Sequence, residues 1–198
     1  MAPLKDVLAL PNGARFYRAD LHIHSFKASY DVKDAAMTPA AIVRAAMSEK
    51  LDIIAITDHN EIASVEPTLS AAATSHLLVI PGIELSTPEG HLLCYMPSLT
   101  ALQRFHGRIA IEGSGTQDSR CQTSMLECLR VLSELSGFAV LAHVETAKGF
   151  EMETPGNSPH KLDVLCHSAL LGIELKTAAS SVSYSSTDPD PLRRAAGR

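Results

Sequence analysis

Five short apolar runs in this chain each end in a histidine or a carboxylate, and that pattern restricts the fold more than any other feature. They read Asp20-Leu-His22-Ile-His24, Ile53-Ile-Ala-Ile-Thr-Asp58-His59, Leu77-Leu-Val-Ile-Pro-Gly-Ile-Glu84, Phe138-Ala-Val-Leu-Ala-His143 and Leu171-Gly-Ile-Glu174. Runs of this length and Ile/Val/Leu content predict strands. Side chains two apart on a strand share a face, so His22 and His24 converge on one point while Ile23 turns away. Several strands that each stop at a metal-binding residue type predict one shared, metal-filled mouth.

Helix-like segments separate the strands, which argues for an α/β fold with parallel pairing. Thr38-Pro39 reads as an N-cap and first helical residue, opening a helix over Ala40 to Lys50. Val65 to Ser75, Gln122 to Leu135 and Lys161 to Leu170 are the other predicted helices, with Gly137 as a C-cap candidate. Ser86-Thr-Pro-Glu-Gly90 is turn chemistry, so His91–Met96 is expected to fold back as a strand. Ala101 to Arg120 reads as irregular, and Thr146 to Pro159 as a rim loop beside the mouth.

At 198 residues the chain suits one domain over residues 1–176, followed by a polar tail over 177–198. The formal net charge of −5 gives no reason to expect a polyanion-binding surface, although it leaves local clustering open. Pro, Gly, His or charge interrupts every apolar stretch well short of the roughly 20 residues of a membrane span. The four cysteines, 94, 121, 128 and 166, form no C-x-x-C pair and predict free thiols in a reducing cytoplasm.

The ordered set Asp20-Leu-His22-Ile-His24-Ser, Ile56-Thr-Asp58-His59-Asn60, Pro81-Gly-Ile-Glu84-Leu-Ser, Gly90-His91-Leu-Leu and Leu141-Ala-His143 resembles the polymerase and histidinol phosphatase (PHP) family of metal-dependent phosphoesterases. The resemblance implies a distorted (β/α)7-type barrel. Residues Arg18 to Ile42 and the segment around His91 further resemble a subgroup fused to a DNA-repair-type ATPase, so a fused or associated ATPase is an expected partner.

Carried onto this sequence, the family pattern puts His22, His24 and Glu84 on a first metal, with Glu84 bridging to a second held by His91 and His143. His59 belongs to a third, with Asp31 or, failing that, Asp34 from the loop after His24. Zinc, manganese or iron is the implied cofactor, up to three ions. The implied nucleophile is a metal-bound water, with no side-chain nucleophile. Asp20 and Asp58 are expected to orient imidazoles, and Glu174 and Lys176 to face substrate. The implied reaction is hydrolysis of a phosphomonoester, in a phosphorylated small molecule, or of a nucleic-acid phosphodiester. The pattern is not complete: the family supplies a late Asp-x-His, and none follows His143 here. That departure predicts a barrel incomplete at its C-terminal end and fewer bound ions. It also keeps open a non-catalytic or partly metallated module of a larger ATPase or polymerase assembly.

Overall fold

A computed structural model describes residues 16–177 and Thr187. Residues 1–15 of the expected domain, and nearly all of the expected polar tail, lie outside the described residues. The main sheet contains six strands: β1 (Ala19–Ile23), β2 (Ile53–Ile56), β3 (Leu78–Thr87), β4 (Gly90–Tyr95), β7 (Phe138–Leu141) and β8 (Leu170–Ile173), in the order β1-β2-β3-β4-β7-β8. β1, β2 and β3 run parallel, β4 is antiparallel to both β3 and β7, and β8 returns parallel to β7. The sheet curls into a half-barrel, and among the described residues β1 and β8 remain its two edges.

Helices α1 (Pro39–Ser48), α2 (Val65–Ala72), α3 (Leu99–His106) and α4 (Met125–Glu134) and the short α5 (Phe150–Glu153) and α6 (Pro159–Leu165) complete the described fold. The local signals for α1 act as expected: Thr38 Oγ1 accepts from the Ala41 N–H, and Pro39 fills the first turn where no intrahelical donor is needed. The stretch expected to be irregular begins inside α3, which Ser98 caps through its Oγ and which buries Leu102 and Phe105. It also contains a small ribbon of β5 (Ile111–Glu112) and β6 (Arg120–Cys121). Three glycines in that stretch obscured the Leu99–Leu102–Phe105 spacing.

Gly137 has a different role from the cap expected of it. Ser136 takes the left-handed backbone after α4, at φ 60°. A Cβ on Gly137 would stand 2.7 Å from Met96 Sδ and 2.7 Å from the Tyr95 carbonyl, so glycine here permits the close approach of α4 to β4.

Two apolar layers result. The larger lies between the sheet's outer face and the helices and includes Ile54, Ile83, Leu85, Leu92, Met125 and Leu129. The smaller fills the concave face with Ala55, Leu93, Tyr95 and Ala142, against which Leu21, Phe138 and Val140 pack. Because strand side chains alternate, these assignments fix which residues reach the concave mouth. Glu84 pairs with Leu93, and Ser86 with His91, on the inner side of the β3–β4 hairpin.

β1 departs from simple alternation. Its register with β2 slips between Asp20 and Ile23, where three steps on β1 match two on β2. This bulge lets Leu21 pack in the concave layer and still delivers both His22 and His24 to the mouth. Asp20 and Ile23 face the other way, lining a groove against α1.

Candidate metal centre

Glu84 is the hub of the mouth. It has no exposed surface, and its two oxygens meet five imidazoles. Oε2 lies 3.0 Å from His22 Nε2, 3.1 Å from His24 Nε2 and 3.4 Å from His59 Nδ1. Oε1 lies 2.8 Å from His91 Nδ1 and 3.3 Å from His143 Nε2. Burial alone would favour the neutral acid, but hydrogen bonds from the surrounding histidines outweigh it and hold the carboxyl well below its usual range.

The backbone explains how residues so far apart in sequence meet. β3 continues past Pro81 and Gly82 to Thr87, so Glu84 sits mid-strand beneath the mouth. The loop after β2 is fastened beside it: Glu84 N–H donates to Asp58 O, Asn60 N–H donates to Glu84 O, and Asn60 Oδ1 accepts from Ser86 N–H. Asn60 takes a left-handed φ of 53°, and His143 a φ of 28° after β7. Non-glycine residues held there cost free energy, and such strain gathers at functional sites.

Among the described residues, three sets of ligand atoms each lie within 4.8 Å of one another: His22–His24–Glu84, His24–Asp31–His59 and His59–Glu84–His91. The first set matches the expected first group. The second joins His59 to Asp31, 3.7 Å apart, and the first-choice acid of the loop is the one that reaches it. The third places His59 with Glu84 and His91, and the His143 ring lies 5.1 Å from that of His91. His143 reaches Glu84 Oε1 but stands in none of the three sets.

The orienting groups also differ from those expected. Among the described residues Asp20 accepts only the His22 backbone N–H, at 3.3 Å, because the β1 bulge turns its side chain toward α1. Asp58 is buried and accepts from the Ser25 N–H and hydroxyl, so it fastens the start of the β1 loop rather than an imidazole. Burial raises its pKa. The carboxylate that orients an imidazole is Glu174, expected instead to face substrate. It spans His22 Nδ1 at 2.9 and 3.0 Å and accepts the His143 backbone N–H at 2.9 Å. Its position at the end of a strand was the only signal in the sequence, and nothing there showed that β8 would lie beside β7 with its end facing β1.

Ser29 was not expected at all. Its hydroxyl lies 2.8 Å from His24 Nδ1 and accepts the His59 N–H at 3.3 Å, linking two loops of the mouth. Thr146 does the same for His143 Nδ1, at 2.9 Å. Lys176 is exposed and borders a cavity of about 360 Å³ beside His22 and His143.

The protonation pattern has opposite senses at neighbouring rings. Burial works against a charge on His22, but hydrogen bonds to Glu174 and Glu84 outweigh it and raise its pKa to about 10. Burial dominates at His59 and lowers it to about 4, so that ring is neutral near pH 7. His59 Nδ1 is buried without a hydrogen-bond partner, although it faces Glu84. His22 Nε2 and His24 Nε2 approach to 3.0 Å, each also against Glu84 Oε2. An orphaned imidazole nitrogen and converging nitrogen lone pairs around one carboxylate fit divalent cations.

A half-barrel whose strand ends carry such a donor set defines a class: α/β domains with a candidate metal-binding mouth. The comparisons narrow it. The family model for the PHP domain matches residues 20–155, and the chain belongs to that family. It is 36% identical over 70 residues to the 5′-3′ exoribonuclease Rnm of Escherichia coli, a match covering 34% of this chain and 22% of that protein. Among solved structures, the lesion-specific endonuclease EndoQ of Pyrococcus furiosus superposes with a TM-score of 0.55 at 17% identity, covering 71% of this chain and 38% of the other. A protein from Bifidobacterium adolescentis described as a metal-dependent phosphoesterase superposes at 0.53 with 17% identity, over 81% and 77% of the two chains. These structural likenesses establish the fold. The chain spans about a fifth of Rnm and under two fifths of EndoQ.

Proposed function

We propose that this chain is a metal-dependent phosphoesterase domain that hydrolyses nucleic-acid phosphate esters. The observation that carries the reading is the buried Glu84 carboxylate with five imidazoles about it, one bearing an orphaned nitrogen. Rnm and EndoQ, named as an exoribonuclease and an endonuclease, support the choice of nucleic acid over a small phosphomonoester.

His22, His24, His59, His91, His143, Asp31 and Glu84 would hold divalent ions, zinc, manganese or iron by donor type. When bound, such ions acidify water and neutralise charge on phosphoryl oxygens. The protein's own part is to hold that geometry. Glu174 fixes the His22 ring, Ser29 the His24 ring and Thr146 the His143 ring, so that each offers its other nitrogen to the centre. Glu84 keeps a negative charge in the floor of the site. The concave apolar layer of Leu93, Tyr95 and Ala142 lies beneath and excludes water from that side. No side chain is required to attack the phosphorus.

Two measurements test this. Metal content is determined on protein purified without chelator, and hydrolysis of p-nitrophenyl phosphate and of a single-stranded oligonucleotide is followed with added Mn²⁺ or Zn²⁺. Activity on the oligonucleotide that disappears in His22→Ala is the expected result. Bound metal with no His22-dependent hydrolysis of either compound would instead mark the chain as a non-catalytic metal-binding module.

A further inference from the structure

A second cavity, about 280 Å³ in volume, opens on the His59–His91 side of the centre, away from Lys176. Tyr30, His91, Arg120 and Lys148 line it, together with one carboxylate, Glu153. Two cations against one acid give a locally positive wall in a chain whose formal charge is −5. Neither cation has an ion-pair partner among the described residues. Arg120 is half-buried, and its Nη1 donates to the carbonyls of Gln117 and Ser119 at 3.2 and 2.7 Å. Those contacts anchor one edge of the guanidinium on the β5–β6 ribbon and leave its other donors for a ligand.

Lys148 is held there by the backbone. Its carbonyl accepts the His91 N–H at 2.8 Å, and its φ is 68°. A Cβ on Gly90 would stand 3.0 Å from that carbonyl, and one on Gly149 would stand 2.6 Å from Val144. The two glycines therefore permit the tight approach that pins a strained lysine beside a histidine of the centre. Tyr30 forms the opposite wall, with its ring stacked on His59 at 5.1 Å between centroids and 25° between planes. A cationic side, an aromatic side and a volume at the small end for ligand sites suit a phosphate with part of its sugar.

We propose that Arg120 and Lys148 form a subsite for the phosphate neighbouring the one at the metal centre, so that the domain grips a single-stranded polynucleotide through two successive phosphates. The proposal rests on the phosphoesterase reading for its location, but binding at the subsite requires no hydrolysis. The probe is therefore a short, fluorescein-labelled, single-stranded oligonucleotide with a cleavage-resistant phosphorothioate backbone. Its affinity for the Mn²⁺-loaded protein is measured by fluorescence anisotropy over a range of salt.

Arg120→Gln and Lys148→Gln should each weaken binding about tenfold and lower the slope of log affinity against log salt, and the double variant should lower that slope by about 0.7, one single-strand phosphate contact. Arg44→Gln, on the exposed side of α1, removes a cation elsewhere and should change neither quantity. Circular dichroism and melting temperature establish that each variant is folded. Unchanged affinity and slope in both cavity variants, an equal loss in Arg44→Gln, or no binding by the wild-type protein would each overturn the subsite. Hydrolysis of p-nitrophenyl phosphate and of an unmodified single-stranded oligonucleotide by the wild type, run alongside, separates the two readings. A silent enzyme that binds through Arg120 and Lys148 refutes hydrolysis alone, whereas an active one that ignores their loss refutes the subsite alone.

Discussion

Replacing Glu84 with glutamine is the sharpest perturbation of the proposed centre, because it keeps the shape of the side chain and removes its charge. The imidazole nitrogens around it lie 2.8 to 3.4 Å from its oxygens, so a cation held by those rings lies within about 4 Å of the carboxylate. At that distance, with an effective dielectric of about 20, each pair of unit charges contributes about 4 kcal/mol. Glu84 is fully buried, so solvent offsets little of this loss. A tenfold change in affinity corresponds to about 1.4 kcal/mol, so metal affinity should fall by roughly 10³-fold or more. The amide NH₂ adds to the loss by facing one of the two histidine clusters in place of an acceptor. Competition titration against a chelator gives the affinity, elemental analysis gives the stoichiometry, and circular dichroism checks that the fold is retained. A folded Glu84→Gln protein with wild-type stoichiometry and affinity within tenfold of wild type would refute Glu84 as the shared ligand.

Three further outcomes follow from other contacts. Glu174→Gln should lower metal affinity by about 10- to 100-fold, because the amide cannot hold the His22 ring as the carboxylate does; an equal loss from Asp20→Asn, whose carboxylate turns toward α1, would show that the loss is only one of general charge. Gly137→Ala should destabilise the protein by about 1–3 kcal/mol in urea unfolding through overpacking against Met96, Tyr95 and Leu132, and a neutral result would mean that α4 can shift off β4. In chelator-treated protein, His22 has a folded pKa of about 10 against an ordinary 6.5. Its stabilising contribution is therefore complete below about pH 6.5 and is lost as pH rises through about 10. Differential melting should show a fall across that window that is shallower in His22→Ala; an identical slope in the two proteins would assign the fall to other groups.

Much of this architecture was legible from residue order. Apolar runs of four to eight residues marked the six main strands, Thr38-Pro39 marked the start of α1, and the turn chemistry before Gly90 marked the antiparallel hairpin. The five histidines and Glu84 that meet in the mouth were expected from the resemblance to the PHP family, whose motifs stand here in the same order. These signals are local: periodicity, capping and turn preference act over a few residues, and the sequence contains them directly. The α3 helix escaped notice because glycines beyond it masked a pattern only about two turns long.

Tertiary structure alone decided how those residues are shared. That His59 as well as His143 comes against Glu84 depends on the bridge between the β2 loop and β3. That Glu174 rather than Asp20 steadies His22 depends on a one-residue bulge in β1 and on the curl that brings the end of β8 opposite β1. The cavity beside Arg120 and Lys148 depends on a ribbon and a strained turn separated by nearly thirty residues of sequence, including α4. A strand end specifies which atoms it can offer, but their partners are fixed by register, bulge and sheet curvature. Those are set by packing across the whole domain and leave no mark at the residues themselves.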